Sequence, residues 1–395
     1  VAGAFTATPC VFRHLSMACA AQHRTCIDER QHRHSSKPGG FLMQRIDVAV
    51  IGGGQSGLAA AHTLLRRGLR PVVLEASGGT AGSWPRYYDS LTLFSPARYS
   101  SLPGMPFPGA DRDRYPHRDE VVAYLTAYAD RLDADIRTGQ RVTCVRRAGS
   151  EFELTLDAGG RLTARAVVAA SGTFGRPHRP ALPGLREFTG RVLHAADYRS
   201  PSPFAGRRVV VVGAGNSAVQ IAAELASTAH VTLATRGPVK FAAQRILGRD
   251  LHFWTARTGV DIAPLGRLLP RPPAQPVLDD GRYRAALAAG QPDRRSLFTG
   301  SDGAKLLWPD GEREEVDVIV LATGYRPDLP YLSDLGDALD SERKPQHREG
   351  LAIGVPGLAF VGLEWQRSLS SNSLRGVGRD AERIARRLAD CLARR

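Results

Sequence analysis

Apolar and polar positions along the chain repeat one unit twice. Residues 48–51 (Val-Ala-Val-Ile) form an apolar run suited to a strand buried on both faces. Residues 58–67 then carry apolar positions at helical spacing, and a second apolar strand follows at Pro71–Leu74. The same order returns in strand 209–212, a helix up to residue 226 and strand 231–234. Between the two copies, segments 141–145, 151–156 and 161–164 alternate with period two across glycine-containing turns, which predicts a small antiparallel sheet. That sheet feeds an apolar run ending Ala-Ser-Gly at 170–172, echoed by a run ending Ala-Thr-Gly at 322–324, and the pair reads as two crossings between domains. Residues 119–132 have helical spacing with Asp119 as N-cap, and 379–394 form an arginine-rich amphipathic helix expected to pack on the first domain. Residues 249–300, with Pro264, Pro270, Pro272, Pro273 and Pro276, show no clear period and no assignable chemistry.

Each copy joins its first strand to its helix through a glycine turn. The first reads Gly52-Gly-Gly54-Gln55-Ser56-Gly57. Gly52 permits the tight turn, Gly54 lets the main chain approach a pyrophosphate, and Gly57 lets the helix pack closely on the strand. The phosphates would lie at the helix N-terminus, where unpaired N–H groups and the helix dipole favour anions. Glu75 follows Gly52 by 23 positions, in place to accept hydrogen bonds from a ribose. The second turn reads Gly213-Ala-Gly215-Asn216-Ser217-Ala218, and 23 positions after Gly213 stands Arg236, preceded by Thr235. A carboxylate repels a ribose 2′-phosphate and an arginine pairs with one, so the first turn reads as an FAD site and the second as an NADPH site. The glycine- and proline-dense stretches 78–84 and 88–109 are loops, where substrate contacts or plain surface connections are both expected.

Composition narrows the class. At 395 residues the chain is long enough for two domains, and 43% hydrophobic with 23% charged residues is ordinary for a globular protein. The net charge of +14 comes from 53 basic residues, 49 of them arginine, scattered and without a nucleic-acid motif, so no nucleic-acid partner is expected. Cys10, Cys19, Cys26, Cys144 and Cys391 contain no Cys-x-x-Cys, which excludes a zinc ribbon and a redox dithiol; no metal site is expected and a reducing cytoplasm is the default. No run of about 18 apolar residues suggests a membrane span. Residues 1–42 differ from the rest in cysteine and histidine content, and read as a mis-assigned start or a disordered tail, with a targeting segment as the rival.

Phe188-Thr-Gly190-Arg-Val-Leu-His194-Ala-Ala-Asp-Tyr198 fits the pattern Phe-x-Gly-x3-His-x3-Tyr just ahead of the second glycine turn. Together with the two turns in order, Gly79 and Trp84 after Glu75, and Ala-Thr-Gly-Tyr at 322–325, it makes residues 43–395 resemble the flavin-containing monooxygenases and their bacterial flavoprotein relatives. The resemblance implies an α/β fold of two Rossmann-like dinucleotide-binding domains, the second inserted into the first. The FAD domain would occupy 43–178 and 322–395, and the NADP domain 179–321. FAD would be held at Gly52, Gly54, Gly57, Glu75, Trp84, Thr323 and Gly324, and NADPH at Gly213, Gly215, Asn216, Ser217, Ala218 and Arg236. Gln55, Ser56, Gly82, Val142 and Thr235 complete the candidate cofactor set.

The resemblance also implies the reaction. NADPH reduces FAD, reduced flavin and O2 give a C4a-(hydro)peroxyflavin, and a small N- or S-containing nucleophile takes one oxygen atom. The flavin carries that chemistry. Candidate catalytic residues are Ser95, His194 and Tyr198, the last two expected to act mainly as structural or hinge residues. Relatives commonly place an asparagine beside the flavin where this chain has Phe94-Ser95-Pro96, and the motif ends Tyr198-Arg199 without the Trp-Pro or Trp-Asp of Baeyer–Villiger relatives. Ketone oxygenation is thus less favoured. An NADPH oxidase or quinone-type reductase is the alternative, and a nucleotide-bound redox sensor a third reading. Substrate identity and oligomeric state are not encoded in any pattern.

Overall fold

The computed structural model describes residues 44–267 and 275–394. The expectations for residues 1–42, and Pro270, Pro272 and Pro273, lie outside the described residues.

Strand β1 (Gln44–Ile51) enters helix α1 (Gln55–Leu65) and returns as β2 (Pro71–Leu74). The helix begins at Gln55 instead of Leu58 because the glycine turn leads straight into it. A long loop then reaches α2 (Arg118–Asp130), followed by β3 (Asp135–Arg137), β4 (Val142–Ala148), β5 (Glu151–Leu156) and β6 (Arg161–Ala169). The N-cap of α2 is His117 and not Asp119: the His117 ring accepts from the Asp119 N–H while Glu120 reaches back to the His117 N–H, a capping box two residues earlier than the spacing suggested.

The chain next builds β7 (Arg191–His194), β8 (Arg208–Val212), α3 (Asn216–Leu225) and β9 (His230–Thr235), then α4 (Leu251–Thr258), β10 (Asp293–Ser296) and β11 (Val318–Leu321). It closes with β12 (Leu358–Phe360) and α5 (Leu374–Ala393). Two sheets result, the second parallel throughout and the first parallel along its main path. The first runs β12–β6–β1–β2–β3 and the second β10–β9–β8–β11–β7, so every strand of the second lies in sequence between two strands of the first. Mixed α/β architecture with an inserted parallel unit is the fold class that the sequence predicts.

Strand β6 unites segments that the sequence separates. Its first half pairs antiparallel with β5, and its second half parallel with β12, while β1 lies along its other edge throughout. Residues 48–51 of β1, 209–212 of β8 and the whole of β2 and β11 are sealed on both faces, which is why they read as unbroken apolar runs. Helices α1, α2 and α5 cover one face of the first sheet through Leu58, Leu64, Val121, Leu125, Val377, Ile384 and Leu388. Each such fully buried aliphatic side chain contributes about 1.5–3 kcal/mol. The α5 stripe at 377, 381, 384, 385 and 388 has the helical period, so it docks on the first unit as expected. Among the described residues of 249–300, where the sequence shows no clear period, α4 and a helix at Arg282–Ala288 both form.

The chain passes between the units twice, and the passages are paired. Arg176–Pro177 lies antiparallel to Tyr325–Arg326, the His178 N–H donates to the Gly324 carbonyl at 2.9 Å, and the Thr323 hydroxyl donates to the His178 carbonyl.

Candidate functional site

Both glycine turns close on these passages. Gly52 has φ +109°, and a Cβ there would lie 2.7 Å from the Ala170 carbonyl oxygen at the end of β6. Gly213 has φ +145°, and its Cβ would lie 2.4 Å from the Ala322 carbonyl oxygen at the end of β11. Gly54 faces Gly82 so closely that a Cβ on Gly82 would stand 3.0 Å from the Gly54 Cα. Gly57 is tighter still, with its missing Cβ 1.8 Å from the Gly52 carbonyl oxygen.

The Glu75 side chain folds over the first turn. Its Oε2 accepts from the Gly53 N–H at 2.6 Å, and its Oε1 accepts from the Ser77 N–H and hydroxyl, each at 2.7 Å. A carboxylate oxygen has two lone pairs, so Oε2 keeps one for a ribose hydroxyl. Gln55 braces the turn: it accepts from the Trp84 indole N–H at 3.0 Å and donates to the Asn372 carbonyl at 2.7 Å. Ser56 is buried against Gly362, and Val142 sits in the core beside Ile51 and Leu74.

In the second turn a side chain on Gly215 would meet nothing within 4 Å, and the buried Asn216 Oδ1 has no hydrogen-bond partner. Ser217 follows in the first turn of α3, and Ala218 is fully buried. Thr235 is buried and accepts from the Arg294 guanidinium at 3.3 Å. Arg236 is exposed and has no ion pair among the described residues. Its positive charge, with those of Arg326 and Arg176, acts on His178, whose imidazole lies below its ordinary value first through burial and then through these three.

These turns fit dinucleotides. Helices α1 and α3 each start from a glycine, with no side-chain cap and no acidic residue in the first turn. By contrast, α2 carries a full capping box and α4 is capped by Asp250, while α5, which starts from Ser373 and not from a glycine turn, also lacks a side-chain cap. The chain leaves N-terminal N–H groups without side-chain partners at the two turns where a phosphate would take them.

His194 and Tyr198 are sealed in the passage. The His194 Nδ1 accepts from the Ala196 N–H at 3.0 Å, and its Nε2–H donates to the Gly324 carbonyl at 3.1 Å. The Tyr198 hydroxyl donates to Glu224 at 2.9 Å. An edge-to-face aromatic run, Trp84–Tyr87–Phe174–Tyr325–His194, with centroids 5.0–6.4 Å apart, links the first turn to this point.

Burial, aided by Arg179 and opposed by the Gly324 hydrogen bond, holds the His194 imidazole below its ordinary value, and burial does the same to His347. A histidine with a lowered folded pKa stabilises fully above its unfolded value of about 6.5, and that contribution is lost as pH falls from there toward the folded pKa. Unfolding free energy from urea melts is therefore expected to hold steady above about pH 6.5 and to decline below it. His194→Asn, which keeps the cap acceptor, should flatten that decline; an unchanged slope would mean that His194 does not titrate in this window.

The Ser95 hydroxyl is buried and bonded to the Ser100 hydroxyl at 2.9 Å, inside the loop that carries Phe94. Sequence reasoning missed what lies against this loop. The excursion between β9 and β10 docks there through Gln244, Asp250 and His252, and on the start of α5 and the residues just before it through Asp261. The Asp261 carboxylate takes both Nε and a terminal N–H of Arg375 at 3.0–3.1 Å. Asp250-Leu-His252 at a helix start carried the available signal, since aspartate is a preferred N-cap. Glu364 has no ion pair among the described residues, and desolvation by the surrounding protein raises its carboxyl above the ordinary value.

No helix among the described residues is long and apolar enough to cross a membrane. Residues 49–256 match the family described as pyridine nucleotide-disulphide oxidoreductase. Indole-3-pyruvate monooxygenase YUCCA1 of Oryza sativa subsp. japonica is 34% identical, over 86% of this chain and 90% of that protein. A CzcO-like oxidoreductase of Geobacillus kaustophilus is 32% identical, over 85% of this chain and 96% of its own length. Among solved structures, the flavin-containing monooxygenase from Stenotrophomonas maltophilia is 33% identical and superposes with a TM-score of 0.78, covering 88% of this chain and 99% of that one. With relatives more than 30% identical over most of both chains, the chain belongs to the flavin monooxygenase family and is a flavin-dependent oxidoreductase.

Proposed function

We propose that the protein binds FAD at the first turn and NADPH at the second, and oxygenates a small nucleophile at nitrogen or sulfur. The observation that carries this reading is the pair of uncapped helix N-termini with opposite charges at matching offsets, Glu75 for the first and Arg236 for the second. When bound, FAD reduced by NADPH supplies the activation of O2. Gly52, Gly54 and Gly57 shape the turn that would receive the FAD pyrophosphate, Ser56 lies in the first turn of α1, and Glu75 offers a lone pair to the ribose. Gly82, Trp84 and Gln55 hold that turn, and Val142, Thr323 and Gly324 complete the proposed FAD set. Gly213, Gly215, Asn216, Ser217 and Ala218 would cradle the NADPH pyrophosphate, with Thr235 and Arg236 at the adenosine end. His194 and Tyr198 have their polar atoms committed within the protein and take a structural part in this scheme.

The Ser95 hydroxyl, tied to Ser100, favours a second outcome alongside oxygenation. With no free hydrogen-bonding side chain at this loop position, part of the activated oxygen is expected to escape as H2O2 in the absence of substrate. The test measures NADPH consumed, H2O2 released and oxygenated product formed with a panel of amines, sulfides and ketones. Oxygenation predicts that H2O2 falls as product rises with an amine or sulfide. Quantitative H2O2 across the whole panel would decide for the oxidase.

A further inference from the structure

The Asp250 carboxylate accepts four hydrogen bonds. Tyr115 and Gln244 each donate to Oδ2 at 2.6 Å, while the His252 N–H and the His252 Nδ1–H donate to Oδ1 at 2.7 and 2.8 Å. Burial works against its charge, but the bonds from His252, Tyr115 and Gln244 outweigh that and hold the carboxyl below its ordinary value. The carboxylate fixes the His252 tautomer, with the proton on Nδ1 and the lone pair on Nε2.

The imidazole itself is held by two aromatic faces, stacked at 6.0 Å on Phe94 and 6.4 Å on Tyr99, and its side chain is only 5% exposed. Nε2 has no hydrogen-bond partner among the described residues, and the small remaining exposure is that of the side chain as a whole. Phe94 is itself partly exposed and adjoins Ser95, and Gln244 donates to the Phe94 carbonyl at 3.0 Å. The dyad therefore comes from the excursion of the second unit and closes on the loop of the first unit that follows the flavin-type turn. The titratable and charged groups around it are Asp250 at its own helix start, Tyr99 and Tyr115 from that loop, and Arg245, whose charge reaches Tyr115.

We propose that His252 is the general base that deprotonates a cationic amine substrate before oxygen transfer, with Asp250 as its positioning residue. Only an amine with its lone pair free is a nucleophile, and an alkylamine is an ammonium ion at neutral pH. The substrate N–H bond breaks, its electron pair stays on nitrogen, and the proton goes to Nε2. The resulting imidazolium is balanced by the Asp250 carboxylate, as in other carboxylate–histidine pairs. This inference rests on the oxygenase reading above.

The experiment uses the flavin-loaded full chain and three probes: N,N-dimethylbenzylamine, protonated at neutral pH; N,N-dimethylaniline, unprotonated there; and methyl phenyl sulfide, which carries no such proton. His252→Gln should lower kcat/KM for dimethylbenzylamine by about 10²–10⁴-fold at pH 7, a loss that shrinks as pH rises and free amine accumulates. The other two probes should change by only a few fold, and Asp250→Asn should show the same pattern more weakly. Equal losses on all three probes with a lowered thermal midpoint would overturn the proposal, leaving the dyad a clamp between units. A second readout needs no turnover. Adding dimethylbenzylamine to the oxidised protein should shift the His252 ring resonance in NMR, assigned by its absence in His252→Gln, and no shift would also overturn the proposal. Failure of the oxygenase reading looks different: wild-type protein would convert none of the probes and release only H2O2.

Discussion

Gly57→Ala is expected to yield a protein purified almost free of flavin and unfolding well below the parent. Alanine favours a helix over glycine by about 1 kcal/mol, so propensity alone predicts a gain. Packing reverses the sign. The new Cβ would stand 1.8 Å from the Gly52 carbonyl oxygen and 2.9 Å from its carbon, backbone atoms of a turn that is itself pinned to the Leu74 carbonyl at 2.8 Å. Either α1 moves off β1 or the turn moves off the Ala170 carbonyl. Overpacking of this kind costs about 1–3 kcal/mol or more, and both movements spoil the cradle for the pyrophosphate. Gly68→Ala serves as the control. Gly68 has φ +74° and open space around it, so an alanine there carries only the left-handed strain of about 1 kcal/mol and should leave flavin content intact. The ratio of flavin to protein absorbance and the urea midpoint check both. Equal flavin loss in the two variants would mean that global stability, and not the turn, governs loading.

The turns were legible in the sequence because their causes are local. A strand, a glycine triplet and a charged residue 23 positions on are all within one βαβ unit, and the crowding at Gly57 comes from that unit alone, although Gly52 and Gly213 also meet the distant carbonyls of Ala170 and Ala322. The echo at 170–172 and 322–324 was also readable, since each run ends in a left-handed glycine, Gly172 and Gly324. What escaped was non-local. The His117 cap of α2 depends on a reciprocal bond from Glu120 that no periodicity shows, and Ser95 gave no hint that Ser100 would take its hydroxyl. The Asp250–His252 dyad gains meaning only because Tyr115, far away in sequence, is brought to its other oxygen. Helix α4 lies among prolines and glycines with little apolar period, since what holds it is that polar docking and few apolar contacts of its own. Local pattern thus gave the two glycine turns, while the contacts around Ser95 and His252 come from segments far apart in sequence.

Arg236→Ala is expected to raise the KM for NADPH by about ten- to a hundredfold while leaving that for NADH nearly unchanged. The side chain extends from the end of β9 into solvent and has no carboxylate partner among the described residues, so its charge is available. Its neighbours strengthen the argument. Arg294 donates to Thr235 from the adjacent strand β10, and Arg176 and Arg326 lie near enough for their charges, with that of Arg236, to depress His178. A group of like charges around one strand end is unfavourable until an anion arrives, and a ribose 2′-phosphate brings that anion whereas a 2′-hydroxyl does not. A charge-assisted hydrogen bond to phosphate contributes about 1.5–3 kcal/mol, which is the stated fold-change in affinity. Because the site faces water, salt should weaken the preference, and the ratio of the two KM values measured between low and physiological ionic strength should narrow for the wild type more than for the variant. Arg236→Lys separates charge from shape: a lysine keeps the charge but loses the planar fork, so an intermediate KM is expected. Parallel increases for NADPH and NADH would show instead that Arg236 supports the strand end and does not read the phosphate.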